Sequence, residues 1–363
     1  MGWGVARVPG TVLIAAGGTG GHLFPGIAVA EELRRREADR RVVFVGTARG
    51  LETRLLPKHG YPLELLPILP LNRVGPRALV QGVLALPRGL LRAALLVRRE
   101  RPSAVLGVGG YAGGPLVLAA ALLGVPTVIL EPNARPGFTN RLLRPFVRQA
   151  ACAWEETRAF YGVKGVVTGN PVRGGFAQLQ PKQHRAPLAL LAFGGSQGSR
   201  VLNDALVAGL GSLPPASELH IVHQTGEPML KAVTAAYAKA SREAEVVAFL
   251  DDMAARLAGA DLVLCRSGAT TCAELQVAGK AAILVPFGRA ADDHQRRNAE
   301  AMAAAGAARM LEEKDLSGAS LAGAVRQLMR DPARIAAMEA AAHGLARPDA
   351  AARVADLLEG KAA

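Results

Sequence analysis

Three glycine-rich segments, each preceded by a run of aliphatic residues, are the parts of this sequence most suited to chemistry. They are Gly17-Gly18-Thr19-Gly20-Gly21-His22, Gly109-Gly110-Tyr111-Ala112-Gly113-Gly114 and Gly194-Gly195-Ser196-Gln197-Gly198. Glycine lets a backbone approach a ligand closely, and the N–H groups and dipole at the start of a following helix favour an anion. A single loop of this kind is equally compatible with a tight strand-to-helix turn. Three of them, all after predicted strands, favour phosphate binding.

The loops do not have the pattern of a dinucleotide-binding site. None of them matches GxGxxG, and the predicted strand at 42–45 ends in Gly46-Thr47 where an acid would hold an adenosine ribose. The sequence therefore disfavours an NAD-dependent dehydrogenase.

Composition indicates which classes of partner the protein binds. The chain has 43 basic and 30 acidic residues and a net charge of +13, which favours anionic partners such as phosphates or acidic lipid. Nucleic acid is not expected, because no zinc-finger spacing, basic leucine zipper or aromatic ribonucleoprotein motif is present. The three cysteines form no CxxC pair, so neither a disulfide framework nor a thiolate metal site is indicated. The first 13 residues lack the pattern of a signal peptide, which predicts a cytoplasmic protein.

Aliphatic runs alternate with helical stretches along the chain, which is typical of βα units around parallel sheets. Strands are predicted at 11–15, 42–45, 104–108, 127–130, 188–193, 219–224, 262–264 and 282–285. They form two groups separated by a Gly-, Pro- and Gln-rich stretch at 169–187, the predicted hinge. The uncharged segment 102–130 is long enough for a membrane span, but its glycines and prolines predict strand, loop, helix and strand. The fold class is thus α/β, with two Rossmann-like domains facing a cleft.

Several longer motifs resemble the MurG family, the UDP-N-acetylglucosamine transferases that make lipid II from lipid I in peptidoglycan synthesis. The motifs are GGTGGHLFPGIAVAEEL at 17–33, GVGGYAGGP at 107–115, GNPVR at 169–173, GGSQGSRVLN at 194–203, FLDDMA at 249–254, CRSGATTCAEL at 265–275 and DDHQRRNA at 292–299. The resemblance implies a GT-B type glycosyltransferase. Its expected domains are 1–165, with the C-terminal helix at 342–363 packing back on it, and 166–341.

The resemblance implies a donor site formed largely by the second domain. Ser196 would meet the α-phosphate, and the helix that begins near Thr270 would meet the other phosphate. Glu274 would accept the ribose hydroxyls, while Phe249 stacks on uracil and the Leu250 backbone contacts the edge of the base. The remaining implied donor contacts are Thr19, Gly20, Gly21, Asn133, Arg173, Ala269, His294 and Gln295. For Glu274 and Arg173 the alternative is an ordinary solvated charge.

The same resemblance places the acceptor in the first domain, with Gly18, Gly110 and Tyr111 at its diphosphate. His22 is the implied general base, because an acceptor hydroxyl must lose its proton as it attacks. Two alternatives stay open: His22 only hydrogen-bonds the loop or its phosphate, or Glu131 is the base.

Two further features bear on that site. The sequence has Glu131-Pro132-Asn133 where the family often has Glu-Gln-Asn, which removes any role of the glutamine and leaves the placement of Asn133 open. Asp292 and Asp293 suggest a metal, but the family implies none, and no cofactor is expected.

The segment 73–101 mixes arginines with aliphatic residues. The arginines are Arg73, Arg77, Arg88, Arg92, Arg98, Arg99 and Arg101, and the aliphatic residues are Leu79, Val80, Val83, Leu84, Leu86, Leu90, Leu91 and Leu95. The segment is too short in apolar sequence to span a bilayer and too apolar for an ordinary solvated face, which predicts a patch on anionic lipid. The alternative is one helix with a leucine core face and an arginine solvent face.

The resemblance, with which these features agree, implies an inverting transfer of N-acetylglucosamine from UDP-N-acetylglucosamine to the muramyl sugar of undecaprenyl-linked lipid I. The enzyme would be cytoplasmic and peripheral on the inner face of the cell membrane. Two alternatives remain: a UDP-N-acetylglucosamine 2-epimerase on the same fold, and a non-catalytic membrane adaptor on the same scaffold.

Overall fold

The computed structural model describes residues 10–48, 50–68, 76–110, 112–180, 182–288 and 293–361, without the side chains of 76–85. The chain divides into two compact units. The first runs to Arg173 and takes up the chain again at Asp349, and the second is Gly174–Pro348.

The first unit is a parallel sheet covered by helices. Its strands are β1 (Val12–Ala15), β2 (Val42–Gly46), β3 (Leu63–Leu65), β4 (Ala104–Gly107), β5 (Thr127–Glu131), β6 (Gln149–Cys152) and β7 (Gly165–Val167). Its first six helices are α1 (Gly20–Arg36), α2 (Glu52–Leu55), α3 (Pro76–Glu100), α4 (Gly113–Leu122), α5 (Phe138–Leu143) and α6 (Glu155–Tyr161). In the described residues the strand order is β3-β2-β1-β4-β5-β6-β7, and neighbours pair in parallel. β1, β2, β4 and β5 are buried along their whole length, which is why apolar residues dominate each of them.

The second unit repeats this plan. Its strands are β8 (Leu188–Phe193), β9 (Leu219–Gln224), β10 (Glu245–Val247), β11 (Leu262–Cys265), β12 (Ala282–Leu284) and β13 (Ala308–Met310). Its helices are α7 (Arg200–Gly209), α8 (Leu230–Lys239), α9 (Met253–Gly259), α10 (Ala269–Val277), α11 (His294–Ala304), α12 (Gly318–Met329) and α13 (Pro332–Leu345). The described strands lie in the order β10-β9-β8-β11-β12-β13, again all parallel. The prediction of two Rossmann-like α/β domains is confirmed.

The last helix, α14 (Ala350–Glu359), returns to the first unit. Its Val354 and Leu358 join the core that also contains residues of β1 and β4. At the end of α1, the Arg36 guanidinium binds Asp356 at 2.7 Å and Glu359 at 2.9 Å. Apolar burial and these ion pairs hold the end of the chain on the first unit.

The uncharged stretch at 102–130 forms β4, α4 and β5, as predicted. Among the residues that the structure describes, no helix is both long enough and apolar enough to cross a bilayer.

Each sheet has a point where the strand order reverses direction, between β1 and β4 in the first unit and between β8 and β11 in the second. In open α/β sheets, ligands bind beyond the carboxyl ends of the strands at this point. The loops at 17–22 and 109–114 follow β1 and β4, and the loops at 194–198 and 266–268 follow β8 and β11. The predicted phosphate loops therefore lie where this topology favours a ligand.

Candidate active site

The two glycine loops of the first unit touch each other. A Cβ placed on Gly110 would overlap the carbonyl oxygen of Gly17, and a Cβ on Gly109 would lie 2.6 Å from Cδ2 of His22. Gly109 and Gly110 also have φ values of +125° and +78°, a region that favours glycine. The structure thus brings His22, Gly18 and Gly110 together, while Tyr111 lies outside the described residues.

The first loop has an open outer side. Thr19 and Gly21 are exposed, and Gly18, at φ +89°, has open space where a Cβ would point. Thr19 occupies the N-cap position of α1, so the positive end of the helix dipole lies at the loop. Thr19, Gly20 and Gly21 are therefore placed to meet an anion.

A buried acid that the sequence analysis missed holds this loop from behind. Glu52, at the first position of α2, is fully buried. Its Oε2 accepts the N–H of Gly18 at 2.9 Å, and its Oε1 accepts the N–H of Thr47 at 2.9 Å. The sequence signal for Glu52 was its place after β2: no acid stands at Gly46-Thr47, and Glu52 is the next acidic residue along the chain.

Glu131 organises the loop between β5 and α5. The side chain is 1% exposed. Oε1 accepts the backbone and side-chain N–H groups of Asn133, each at 3.2 Å, and Oε2 accepts Gly137 N–H and the Asn140 side chain, each at 2.9 Å. Burial raises the pKa of Glu131, and these hydrogen bonds oppose the rise. Asn133 therefore lies against Glu131 even with Pro132 between them.

Arg173 belongs to the first unit. Its guanidinium stacks over the ring of Phe24 at 4.1 Å, and the same ring lies against Gly20 of the first glycine loop. This half-buried arginine is thus stacked beside the start of α1 and is not simply solvated.

In the second unit the glycine loop after β8 ends in a helix cap. Ser196 is exposed at the tip, next to Gly195 at φ +93°. Ser199 Oγ accepts the N–H of Leu202 at the start of α7, and Arg266 donates to the same oxygen at 3.1 Å. The predicted α-phosphate contact therefore projects from a loop whose base is fixed.

Gln224, which the sequence analysis also missed, joins this loop to the loop after β10. The side chain is 3% exposed. Its oxygen accepts Gly194 N–H at 3.3 Å and its NH₂ donates to the carbonyl of Ala248 at 2.9 Å. The next residue, Phe249, is 53% exposed, whereas Leu250 is 6% exposed. The Gln224 side chain therefore links the loop of the predicted phosphate contact, Ser196, to the loop of the predicted uracil contact, Phe249.

The starts of α10 and α11 are joined as well. Ser267 Oγ donates to the carbonyl of Gln295 at 2.7 Å, and Asn298 donates to the carbonyl of Ser267 at 3.2 Å. The Gln295 side-chain oxygen accepts the N–H of Phe287 at 3.0 Å. Ala269 and Thr270 open α10 and His294 opens α11, so these predicted donor contacts lie near one another.

Glu274 lies one turn further into α10 and is 5% exposed, so it is not an ordinary solvated carboxylate. Arg266, a third residue that the sequence analysis missed, is 9% exposed at the end of β11. It donates to Glu313 at 2.6 Å and to the carbonyls of Val285 and Pro286. The only sequence signal for it was an arginine directly after a buried strand.

No cluster of three His, Cys, Asp or Glu side chains that could hold a metal occurs in the described ranges. Asp292 lies outside them.

Both units match known domain families. Residues 12–152 match the glycosyltransferase family 28 N-terminal domain, and residues 189–354 match the glycosyltransferase family 28 C-terminal domain.

Known proteins resemble the chain over nearly its whole length. The UDP-N-acetylglucosamine–N-acetylmuramyl-(pentapeptide) pyrophosphoryl-undecaprenol N-acetylglucosamine transferase of Myxococcus xanthus is 49% identical over 350 residues, 95% of this chain and 91% of that protein. The crystal structure of Acinetobacter baumannii MurG is similar with a TM-score of 0.81 and 34% identity, covering 97% of this chain and all of that one. The UDP-GlcNAc 2-epimerase of Neisseria meningitidis, at 14% identity, 97% and 100% coverage and a TM-score of 0.69, shares the fold.

Proposed function

This chain belongs to the MurG family of glycosyltransferases, and on that premise we propose that it transfers N-acetylglucosamine from UDP-N-acetylglucosamine to the muramyl sugar of undecaprenyl-linked lipid I, forming lipid II. Its two Rossmann-like domains are those of the GT-B type. The observation that carries the proposal is the near full-length similarity to these transferases, with glycine loops at the switch point of both sheets.

The donor binds in the second unit. The N-termini of α7 and α10, together with the exposed Ser196, stabilise the diphosphate. They also stabilise the negative charge of the departing UDP without a metal. Phe249 stacks on the uracil from its exposed position. Glu274 accepts the ribose hydroxyls, and Gln295 with His294 contacts the sugar.

The acceptor diphosphate binds at the two glycine loops of the first unit, and His22 is the general base. As the acceptor oxygen attacks the anomeric carbon, its proton passes to His22, the bond from that carbon to UDP breaks, and the configuration inverts. Glu131, the alternative base, has both oxygens engaged by loop amides. We therefore assign it to holding Asn133.

The surface that meets the membrane is the outer face of α3. Arg88, Leu91, Arg92, Leu95 and Arg98 are exposed and recur every three or four residues, so they lie on one side of the helix. The opposite side, including Leu96 and Val97, is buried in the core. Leu91 and Leu95 are 60% and 49% exposed, and Leu122 on the adjoining α4 is 64% exposed.

This pattern supports the membrane alternative for the segment, because part of the leucine content packs inside and part faces out among arginines. The exposed leucines enter the headgroup layer while the arginines attract anionic lipid. The enzyme then works as a peripheral protein on the inner face of the cell membrane. The side chains of Arg77, Leu79, Val80, Val83 and Leu84 lie outside the described part of the chain.

Acceptor-dependent release of UDP tests the proposal. The protein is incubated with UDP-N-acetylglucosamine, with and without a short-chain lipid I analogue, and free UDP is measured. A transferase releases UDP only with the acceptor. Without acceptor, formation of UDP-N-acetylmannosamine, or of UDP and free N-acetylmannosamine by addition of water, would instead identify an epimerase, and unchanged UDP-N-acetylglucosamine in both reactions would favour an adaptor.

A further inference from the structure

We propose that Glu52 is a positioning residue for the acceptor site: its buried carboxylate fixes the glycine loop at 17–22 and, through it, the loop at 109–114. The inference rests on the proposed function, which assigns these loops to the acceptor diphosphate. Glu52 itself contacts no substrate, since it is fully buried behind the loop.

Three glycines close around this carboxylate. A Cβ on Gly17 would lie 2.5 Å from Oε1, a Cβ on Gly46 would lie 2.7 Å from Cγ, and a Cβ on Gly50 would overlap Oε2. These glycines come from the ends of two strands and from the turn before α2. A side chain at any of these three positions would displace the Glu52 carboxylate, and all three positions are glycine.

The two oxygens have separate partners. Oε2 accepts the N–H of Gly18, and Oε1 accepts both the N–H of Thr47 and its hydroxyl, the latter at 3.3 Å. A buried carboxylate without donors is strongly unfavourable, and here backbone N–H groups supply them. The bond to Gly18 holds the loop from its inner side while the outer side stays open.

The attachment extends to the second loop and to the base. The Gly17 carbonyl lies against Gly110, and the His22 ring lies against Gly109. A shift of Gly17 and Gly18 would therefore move the surface that Gly110 packs on and alter the contact that orients His22. Binding of the acceptor and proton transfer should both weaken, while the donor seat in the second unit stays intact.

Two substitutions disturb the same oxygen in different ways. Glu52→Gln keeps the size but presents an NH₂ group to the N–H of Gly18 or of Thr47. Gly50→Ala keeps the acid but displaces Oε2, because a Cβ at position 50 would overlap that oxygen. Each should lower kcat/KM for a lipid I analogue by about 10- to 100-fold, the scale of one charge-assisted hydrogen bond. Affinity for free UDP, which the second unit binds, should stay unchanged, and the double variant should lose little more than either single variant.

Val354→Ala is the matched control, because it truncates a fully buried side chain of the first unit on α14. It should lower the melting temperature and leave the acceptor KM unchanged. Melting curves for all variants show whether a lower activity comes from unfolding or from a displaced glycine loop in a folded protein.

Hydrogen exchange resolved to single amides tests the inference on the wild-type protein, which needs no variant. The Gly18 amide should be protected at least tenfold more than a freely exposed amide. Normal acceptor kinetics in folded Glu52→Gln or Gly50→Ala, or an unprotected Gly18 amide, would overturn the inference. Wild-type transfer in the same assay keeps this result distinct from a failure of the proposed function, in which the wild type itself transfers nothing.

Discussion

Phe249→Ala tests the donor site most cleanly, because the structure predicts a loss of binding with almost no loss of stability. Phe249 is 53% exposed while its neighbour Leu250 is 6% exposed. Stacking of a base on an aromatic ring contributes about 1–3 kcal/mol. Affinity for UDP should therefore fall by about 5- to 150-fold, with a melting temperature close to that of the wild type.

Leu250→Ala is the matched control on the adjacent position. Its buried side chain should cost about 2–5 kcal/mol of unfolding free energy on truncation, while its backbone contact to the base persists. Titration calorimetry with UDP and thermal melts on both variants give the comparison. An unchanged UDP affinity in folded Phe249→Ala would refute the stacking role and the placement of uracil at this loop.

Three further predictions concern the base, the membrane face and the core of the second unit. His22→Ala should lower kcat by about 100-fold or more with little change in stability, as expected for loss of a general base. Reversing Arg88 and Arg92 to glutamate should strongly reduce co-sedimentation with anionic liposomes, and raised salt should weaken wild-type binding, since screening acts over about 8 Å. Burial lowers the pKa of His223 to about 4, so the unfolded chain takes up its proton first as the pH falls, and stability should drop by about 2 kcal/mol between pH 7 and pH 5 through this residue.

Each of these predictions has its own check. Near-normal turnover of His22→Ala would show that His22 is not the general base and only contacts the loop or its phosphate. Charge reversal of Arg330 and Arg334, exposed on the second unit, changes net charge equally and should leave liposome binding intact. If both pairs of reversals act alike, the arginines of α3 form an ordinary solvated face. Chemical denaturation of His223→Gln at several pH values should give a flatter stability profile, and an unchanged slope would contradict the assignment.

The pH prediction follows from the burial of His223, which is 1% exposed and hydrogen-bonded as a neutral ring. One ring nitrogen lies 3.0 Å from the side-chain oxygen of Asn203 and the other 3.2 Å from the Tyr237 hydroxyl. A neutral ring can donate to Asn203 and accept from Tyr237. Protonation would place a positive charge on this buried ring, and that cost of burial is the physical reason for the low pKa.

The fold could largely be predicted because the central strands are buried on both sides along nearly their whole length. β1, β4, β8 and β11 are continuous aliphatic runs that lead into turns or glycine loops, and the strand predictions around them agree with the structure to within about a residue. β3, β6, β7, β10 and β13 were missed. β3, β7, β10 and β13 have three residues each and are only partly buried, and β6 is four residues long with no branched aliphatic side chain, so these sequences carry too little apolar pattern.

The site could be predicted only where function depends on local sequence. A glycine loop before a helix is visible within a few residues. Glu52, Gln224 and Arg266 act through hydrogen bonds to Gly18, Gly194 and Ser199, which lie 34, 30 and 67 positions away. Such pairs become evident only when the sheet order places the strand ends together.

The measurement that tests the central claim most directly is identification of the sugar product. The protein is incubated with UDP-N-acetylglucosamine and a short-chain lipid I analogue, and the product is analysed by mass spectrometry and by NMR of the new anomeric proton. We expect one added N-acetylhexosamine on the muramyl sugar, joined with inverted, β configuration, and one UDP released per product. A product with retained configuration would contradict the one-step displacement, and N-acetylmannosamine without any glycosylated acceptor would contradict the transferase itself.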